Sequence, residues 1–583
     1  MNEFWDLDRI YKGFEDPAYQ ADFAAMQQLV KDFAAFAEEL PTLEPLEGLR
    51  RGVALQETLT DLTSLFSYSS LRQSANTKDS EAGSRMGQVM ALHSGLAAPL
   101  AAYNDWVAKL PNLMELVRAD ENLRDYEFLF ANKAESGKYL LPGIAEAVMA
   151  KLEMSGGEAW SDMQSYLTST VPVSYRGSTI NLSAVRNLAY DPDPQVRKDA
   201  YEAELAAYDR IKDAVAFALN SIKLETISDC QLRGYESPLL RTLKHSHLEK
   251  ATLDAMLEAM DEYSPKFWQY LKAKAKALGH EGSLPWYDLF APMGATSTKF
   301  TAEDAKEYLV RQFTTFDQEL ADMVATAFDD AWIDFYPRSG KRGGAFCASV
   351  RKLGESRILT NFDGSFSDVV TLAHELGHAF HNQCIRSHRP LNMRYSMPVA
   401  ETASTFNECV VMAAAIASAA DKDEKIALIE SQLQDATQII CDIYSRFRFE
   451  AKVFENRESK FMDADTLCGY MLEAQKQSYG DGLDADCLHP YMWVCKSHYY
   501  GPTFYNFPYA FGGLFARGLY AQYASEGAAF VPKYKKLLYT TTVASAEDTA
   551  KVADIDLTDK NFWRSALQTI ADQIDLFCQL VEE

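Results

Sequence analysis

Apolar residues recur at helical spacing along most of the chain. Residues 193–228 and 301–331 each repeat apolar positions every three or four residues among Glu, Lys and Arg, which is typical of amphipathic helices. The Asp-Pro-Asp-Pro run at residues 191–194 interrupts this pattern, because proline does not continue a helix. We therefore predict long helices and a boundary between an N-terminal region, residues 1–190, and the remainder, residues 191–583.

One stretch departs from the helical pattern. Residues 332–336 and 357–362 are rich in residues that favour strands, and Gly343 and Gly344 form a turn between them. The sequence therefore predicts one small antiparallel sheet just before a helix that begins near Asp368. The predicted fold class is mainly α.

The helix that follows this sheet has two distinct faces. Its predicted N-cap is Ser365 or Ser367, whose hydroxyl accepts a backbone N–H of the first turn. On a helical wheel, apolar residues form one stripe, and three histidines fall within about 60° of each other on the opposite side. The apolar residues are Val369, Leu372, Leu376 and Phe380, and the histidines are His374, His378 and His381. The imidazoles are therefore expected to line a cleft.

The net charge narrows the range of partners. The 583 residues carry a formal charge of −26 at pH 7, whereas phosphate binding needs clustered Lys and Arg, so we expect no nucleic-acid partner. The acidity mainly favours solubility and could also favour basic substrates. We expect no membrane segment, because the longest apolar stretches, such as residues 410–420, are much shorter than the roughly 20 residues that cross a bilayer.

The cysteines and the first residues of the sequence indicate the cellular compartment of the protein. Nine cysteines, an odd number, are scattered from Cys230 to Cys578 without a CxxC pair, which is typical of reduced thiols. The first residues show no basic segment followed by an apolar one, so we expect no secretory signal. A cytoplasmic location is predicted.

The spacing of His374 and His378 predicts a metal site. Residues four apart on a helix share one face, so both rings can meet at one ion. Zinc suits two imidazoles and a carboxylate, because it has no redox chemistry and accepts water at an open fourth position. Glu375 lies about 100° around the helix, close enough to contact that water without binding the metal. We predict one zinc ion that lowers the pKa of its water to near 7, with Glu375 as the general base of peptide hydrolysis.

Spacing alone leaves the third ligand open. His381 lies seven residues from His374, a rise of about 10.5 Å, which is too far for both to reach one ion together with His378. His381 is expected to contact substrate, to orient a neighbour or to be structural. Glu401 and Glu408 share one face of a second predicted helix, so only one of them is expected to bind the metal. The other could accept an N–H from a ligating histidine.

The motifs of this region resemble a known family. HELGHAFH at residues 374–381 and PVAETASTFNE at residues 398–408 are similar to the oligoendopeptidase F branch of the thimet-oligopeptidase-like metallopeptidases. Further matching strings are WDLDRIY at 5–11, RGYESPL at 233–239, LPWYDLFAP at 284–292 and SGKRGGAFC at 339–347. The resemblance extends over nearly the whole chain, and these longer strings discriminate better than HExxH, which many zinc peptidases share.

The resemblance implies both a shape and a site. It implies a large helical ellipsoid with a deep central channel, an oligopeptidase F-type helical region at residues 1–190 and a catalytic zinc-peptidase domain at residues 191–583. By the family pattern Glu401 is the third zinc ligand and Glu408 supports it. A narrow channel would admit short unfolded peptides and exclude folded proteins, so the resemblance implies an endo-acting oligopeptidase.

A His- and Tyr-rich segment near the C-terminus is a candidate for binding the oxyanion that develops during hydrolysis. The resemblance matches His498 and Tyr505 to a family pattern of a histidine followed by tyrosines. Rival tyrosines are Tyr499, Tyr500 and Tyr509. Pro508 departs from the family pattern, because many relatives have no proline in this stretch. Aromatic clusters more often pack than catalyse, so packing is the alternative.

Other interpretations stand beside the leading one. Residues 343–346 could form a strand edge that pairs with the substrate backbone, or an ordinary glycine turn. A zinc carboxypeptidase or dipeptidase on a similar scaffold is the second candidate function. A non-catalytic peptide-binding protein is the third, and the intact HExxH motif argues against it.

Overall fold

The chain folds mainly into helices. The computed structural model describes residues 2–294 and 298–582. The first helices are α1 (Pro17–Glu39), α2 (Pro45–Asp61), α3 (Thr63–Ala75), α4 (Ser80–Ser94), α5 (Ala97–Ala108), α6 (Leu113–Ala119), α7 (Glu127–Gly137), α8 (Gly143–Glu153), α9 (Gly157–Thr170), α10 (Leu182–Asn187), α11 (Pro194–Asp209), α12 (Lys212–Arg233), α13 (Pro238–His245) and α14 (Lys250–Ala277). They are followed by α15 (Ala302–Thr314), α16 (Gln318–Asp329), α17 (Phe366–Ile385), α18 (Met397–Ala400), α19 (Thr402–Ser418), α20 (Lys422–Thr437), α21 (Ile443–Arg457), α22 (Ala464–Tyr479), α23 (Met492–Cys495), α24 (Phe507–Glu526), α25 (Phe530–Thr540), α26 (Ala546–Lys551) and α27 (Lys560–Glu582). The prediction of a mainly α fold is confirmed.

Each of the two long amphipathic segments predicted from the sequence forms two helices. Residues 193–228 fall in α11 and α12, and residues 301–331 fall in α15 and α16. Thr301 starts α15 with a capping box, in which its hydroxyl accepts from the N–H of Asp304 and the Asp304 carboxylate accepts from Thr301. The break after α15 lets α16 pack against it. Periodicity predicted the apolar stripes but not these breaks.

The strands form two small sheets. Strands β1 (Val173–Tyr175) and β2 (Ser178–Ile180) make an antiparallel hairpin that the sequence analysis did not predict. Strands β3 (Ile333–Asp334), β4 (Phe346–Val350) and β5 (Glu355–Leu359) form a sheet before α17, in the order β3-β5-β4. A sheet was predicted here from the runs that contain β3 and overlap β5, and β4 is an additional strand.

The second sheet is mixed rather than antiparallel. The two runs predicted as strands contain β3 and overlap β5, and these two strands run parallel, so the antiparallel prediction is wrong for them; the antiparallel pair is β4 with β5. β5 lies in the centre and adjoins both other strands. Residue composition predicts strands, but the order in which they pair fixes their relative direction.

Two compact units can be recognised in the chain. One comprises the described residues within 1–140, 298–414 and 522–554, and includes β3, β4, β5 and α17. The other comprises the described residues within 141–297, 415–521 and 555–583. The predicted division between residues 190 and 191 concerns regions of the sequence and stays a prediction. Within the described part of the chain, no helix combines the length and apolar character that crossing a bilayer requires.

Helix α17 begins and packs as its sequence predicts. Ser365 is the N-cap, and its hydroxyl accepts from the N–H of Asp368, whose carboxylate accepts from Ser365 in return. The apolar stripe of Val369, Leu372, Leu376 and Phe380 is fully buried. Each such side chain contributes about 1.5–3 kcal/mol of hydrophobic free energy, so the stripe fixes the rotation of the helix about its axis.

Gly377 allows a second chain segment to approach the middle of α17. A Cβ atom at this position would lie 2.5 Å from the carbonyl oxygen of Ala403 and 2.5 Å from the Cα of Ser404. Both are backbone atoms of α19, so they cannot be moved aside by a change of rotamer. The absent side chain therefore sets the distance between α17 and the start of α19.

We expect the substitution Gly377→Ala to lower the free energy of unfolding by about 1–3 kcal/mol, because the added methyl group overpacks this contact. Gly87 lies within α4, and a Cβ atom added there would have open space around it, with no contact within 4 Å among the described residues. Gly87→Ala is the matched control, and should be neutral or stabilising by up to about 1 kcal/mol through helix propensity. Urea unfolding curves of both variants measure the difference, and equal midpoints would contradict the packing argument.

Candidate metal centre and active site

Helix α17 brings two imidazoles and one carboxylate to the same place. His374 and His378 lie one turn apart, and their Nε2 atoms are 3.2 Å from each other. The two rings are nearly perpendicular, with centroids 4.9 Å apart. Both side chains are partly exposed, whereas Glu375 between them is 6% exposed. The rings therefore turn a shared edge toward an accessible space.

Glu401 approaches these nitrogens from another element. It lies in the turn between α18 and α19, so the second helix predicted from the sequence is interrupted at this residue. Its Oε2 atom is 3.3 Å from the Nε2 atoms of both His374 and His378. Because the helix is interrupted, Glu401 does not lie on one continuous helical face with Glu408, as the sequence had predicted.

The three atoms form a nearly equilateral triangle that fits zinc. Its edges measure 3.2, 3.3 and 3.3 Å. Ligands of a tetrahedral zinc ion at roughly 2.0–2.1 Å are about 3.3 Å apart, so one ion can touch all three atoms. Two neutral imidazoles and one carboxylate are also a donor set that catalytic zinc sites use, with the fourth position open. His374, His378 and Glu401 could therefore hold zinc.

Glu408 contacts the opposite side of His374. Its Oε1 atom lies 2.5 Å from Nδ1 of His374. A carboxylate on the second ring nitrogen fixes the tautomer and leaves Nε2 as the atom directed at a metal. Burial opposes protonation of His374, but the hydrogen bond and charge of Glu408, together with Glu401 and Glu375, raise its pKa to about 8.

The two other carboxylates have opposite electrostatic environments. Burial opposes the ionisation of Glu401, but the hydrogen bond and charge of His378, assisted by Ser404, lower its pKa to about 2. Burial raises the pKa of Glu375, because its charged form is poorly solvated there. Glu401 is thus ionised at neutral pH, and Glu375 is the more basic carboxylate.

A cavity of about 510 Å³ opens beside these residues within the same unit. One wall is strand β4, which contributes Phe346, Cys347 and Ser349, and Asn382 and Tyr395 line it elsewhere. Among the described strands β4 adjoins only β5, so its other edge has no strand partner. The two glycines before β4 form a bend, and the strand begins after them, at Phe346.

His381 does not face this cavity. It is fully buried, its ring stacks on Tyr395 with centroids 4.3 Å apart, and its Nε2 atom lies 2.8 Å from the hydroxyl oxygen of Thr541. Burial lowers its pKa to about 3, so it stays neutral. The expectation that all three histidines line a cleft is wrong for His381, because a neighbouring chain segment covers that part of α17. Sequence reasoning missed Tyr395, which carries no spacing signal.

Comparison with known proteins decides the family. The sequence model of peptidase family M3 matches residues 187–569. The chain belongs to this family. The resemblance noted from its motifs is thereby confirmed, and the chain is a peptidase.

Several relatives of this M3 peptidase align over nearly its whole length. Oligopeptidase PepF of Bacillus subtilis is 22% identical, with 98% of this chain and 86% of that protein aligned. An oligoendopeptidase F homolog of Lactococcus lactis subsp. lactis is 22% identical, with 99% and 97% aligned. The crystal structure of oligoendopeptidase-F from Enterococcus faecium has a TM-score of 0.72 at 16% identity and covers 97% of this chain and 99% of its own. A Chlamydophila abortus protein has a TM-score of 0.86 at 20% identity, covering 99% and 98%.

The two residues predicted to donate hydrogen bonds to the oxyanion, His498 and Tyr505, lie in the second compact unit of this M3 peptidase, which includes residues 415–521. The rings of His498 and Tyr505 stack with centroids 5.7 Å apart, and Tyr509 contacts both rings edge-on. Tyr499 and Tyr500 are buried instead, and the Tyr500 hydroxyl donates to the carbonyl oxygen of Trp493. The structure thus groups His498 with Tyr505 and Tyr509, and separates them from the other two rivals.

The lowered pKa of His498 and the presence of Pro508 both have simple physical causes. Burial, and then the positive charges of Arg446 and Lys496, lower the pKa of His498 to about 4, so it is neutral at pH 7. Pro508, which departs from the family pattern, is the second residue of α24. Proline is well tolerated there because the first N–H groups of a helix have no partner within it.

The contact between Glu408 and His374 predicts a titration. In chelator-treated protein, Glu408→Gln should lower the pKa of His374 from about 8 toward or below its ordinary 6.5, because burial then dominates. The parent contact contributes stability that is complete below pH 6.5 and is lost as the pH rises through about 8. NMR of histidine-labelled protein measures this, with exposed His93 as an internal control. An unchanged His374 titration would exclude the contact.

Proposed function

We propose that this M3 peptidase is a zinc metalloendopeptidase that hydrolyses internal bonds of short, unfolded oligopeptides. The observation that carries the proposal is the triangle of ligand atoms from His374, His378 and Glu401, with Glu375 beside it in the same cavity. The names of its relatives, oligopeptidase and oligoendopeptidase, support peptides as substrates. All nine cysteines are outside disulfides, which supports a cytoplasmic location.

One Zn²⁺ ion per chain would be held by His374, His378 and Glu401. When bound, zinc supplies a Lewis acid that lowers the pKa of water to near 7 and polarises a carbonyl group. Glu408 holds His374 by its Nδ1 atom, so that Nε2 stays directed at the ligand site. The proposal is supported by the 3.2–3.3 Å edges of the triangle, which match tetrahedral coordination.

Glu375 acts as the general base. Its carboxylate takes a proton from the attacking water and can later pass it to the leaving amine. Burial raises the pKa of Glu375, and a more basic carboxylate binds that proton more strongly. Its position on α17 between the two histidines keeps it within the cavity without making it one of the three ligand residues.

Strand β4 would align the peptide. The edge of β4 away from β5 pairs with no other described strand, and Ala345, Phe346, Cys347 and Ser349 lie along the cavity that contains Glu375. An extended peptide added to this edge would hydrogen-bond through its main chain, which is independent of its side chains. Most backbone groups of a folded protein are already paired, whereas those of a short unfolded peptide are available, which favours short unfolded substrates.

His498 and Tyr505 would donate hydrogen bonds to the oxyanion of the attacked carbonyl. A tyrosine hydroxyl and a neutral imidazole are both suitable donors, and the lowered pKa of His498 keeps it neutral at pH 7. Their stacked rings in the second unit support a common role. A non-catalytic peptide-binding protein would require none of these groups.

The substitution Glu375→Gln tests the base. We expect kcat to fall by at least about 1,000-fold, since the variant cannot accept the proton, while zinc content stays near one ion per chain. Fluorogenic peptide assays and elemental analysis measure the two quantities. Glu319→Gln, an exposed change on α16, is the control and should retain full activity. Substantial turnover by Glu375→Gln would end the proposed mechanism.

A peptide blocked at both ends separates endopeptidase from exopeptidase activity. We expect mass spectrometry to show internal cleavage, because pairing along β4 requires only backbone groups and no free terminus. Chelation should abolish cleavage, and added zinc should restore it. The same peptide with free ends serves as the comparison. Cleavage of the free peptide alone would instead favour the carboxypeptidase or dipeptidase interpretation.

A further inference from the structure

The segment that carries Tyr505 has an unusual backbone. Phe504 has a φ of +52°, in the left-handed region that residues other than glycine rarely adopt. The N–H of Asn506 donates to the carbonyl oxygen of Phe504 over 2.7 Å, which closes a tight turn with Tyr505 at its tip. Such a conformation persists only where surrounding groups hold it. We call residues 504–506 the Tyr505 turn.

A single buried carboxylate holds both sides of this turn. Glu450, on α21, is 1% exposed. Its Oε1 atom accepts from the N–H of Phe504 over 3.1 Å, and its Oε2 atom accepts from the Asn506 side-chain amide over 2.7 Å. The residue before Tyr505 and the residue after it are therefore fixed to one group, while the tyrosine ring stacks on His498.

The carboxylate is itself held by a buried cation. Lys223, on α12, is 1% exposed, and its Nζ atom donates to Oε1 of Glu450 over 2.6 Å. The ring of Phe504 packs against Phe447 and Phe454, both on α21. Three donors therefore contact the two carboxylate oxygens of Glu450 in a site closed to water. Neither the Lys223 nor the Glu450 charge can be solvated there, so the two groups must keep their mutual geometry.

We infer that Glu450 is a positioning residue for Tyr505. It acts by holding the Tyr505 turn, so that the Tyr505 hydroxyl is presented in one orientation. Buried ion pairs are poor sources of net stability, and what distinguishes this pair is that its carboxylate also accepts from both neighbours of Tyr505. The inference rests on the proposed role of Tyr505 as an oxyanion donor, and extends the catalytic apparatus to a pair that no sequence motif indicated.

The substitution Glu450→Gln tests the inference with little change of shape. Glutamine has only one side-chain oxygen, whereas the carboxylate has two. If the amide NH₂ replaces Oε2, Asn506 loses its acceptor; if it replaces Oε1, Lys223 and Phe504 lose theirs. We expect Tyr505→Phe to lower kcat about 100-fold, as loss of one oxyanion donor does. Glu450→Gln should lower kcat by at least about tenfold with KM changed less than about threefold, since the lost interaction is made in the transition state.

A double-mutant cycle distinguishes a loss of Tyr505 positioning from a general disturbance of the fold. In the Tyr505→Phe background, Glu450→Gln should cost less than about twofold in kcat, because the hydroxyl that it positions is already absent. Asn506→Ala, which leaves the contact of Glu450 with Lys223 intact, provides a second variant should Glu450→Gln fold poorly. It should show the same dependence on Tyr505.

A matched control exists in the same unit. Glu430 is likewise buried and paired with a buried lysine, Lys274, at 2.5 Å. It does not contact the Tyr505 turn, so Glu430→Gln should leave kcat within about twofold while altering a comparable ion pair.

A readout independent of activity completes the test. With 3-fluorotyrosine at position 505, the ¹⁹F resonance should shift in the Glu450→Gln protein and stay unchanged in the Glu430→Gln protein. Equal losses of kcat in both Tyr505 backgrounds, or an unmoved ¹⁹F resonance, would overturn the positioning role. Full activity of Tyr505→Phe would instead overturn the proposed role of Tyr505, and the ¹⁹F spectrum would then decide whether Glu450 positions the residue.

Discussion

The close approach of two backbones at Gly377 is the constraint on which the candidate site depends. The carbonyl oxygen of Ala403 and the Cα of Ser404 occupy the space that a side chain on α17 would need. This contact brings Glu401, two residues before Ala403, within 3.3 Å of both imidazole Nε2 atoms. Bonds to a metal are only about 2 Å long, so a shift of the size of a methyl group would separate the carboxylate from the histidines.

Electrostatics then divides the roles of three carboxylates that lie near the same two rings. Glu401 is directed at both Nε2 atoms and is held ionised, Glu408 binds the Nδ1 side of His374, and Glu375 is buried, which raises its pKa. Three acidic groups beside two imidazoles leave an excess of negative charge that a divalent cation would compensate. The physical basis of the proposed division is that each carboxylate has a different degree of burial and a different nearest donor.

Buried charge has a comparable role in the second unit. Lys223 and Glu450 are almost inaccessible to water, and the carboxylate accepts hydrogen bonds from both neighbours of Tyr505. Desolvating two charges costs about as much as their attraction returns, so a pair of this kind is better suited to fixing a geometry than to adding stability. The strained φ of Phe504 is consistent with this, because surrounding contacts must hold it.

The sequence determined those features that depend on neighbours within one or two helical turns. The stripe of Val369, Leu372, Leu376 and Phe380, the Ser365 cap and the shared face of His374 and His378 all follow from the 3.6-residue period. The tertiary structure decided what depends on packing between distant segments. Spacing could not separate Glu401 from Glu408, because only the interruption between α18 and α19 directs them to different ring nitrogens. It could not reveal that Thr541 and Tyr395 bury His381, that β3 runs parallel to β5, or that Glu450 holds the Tyr505 turn, since each contact joins residues whose sequence separation carries no periodic signal.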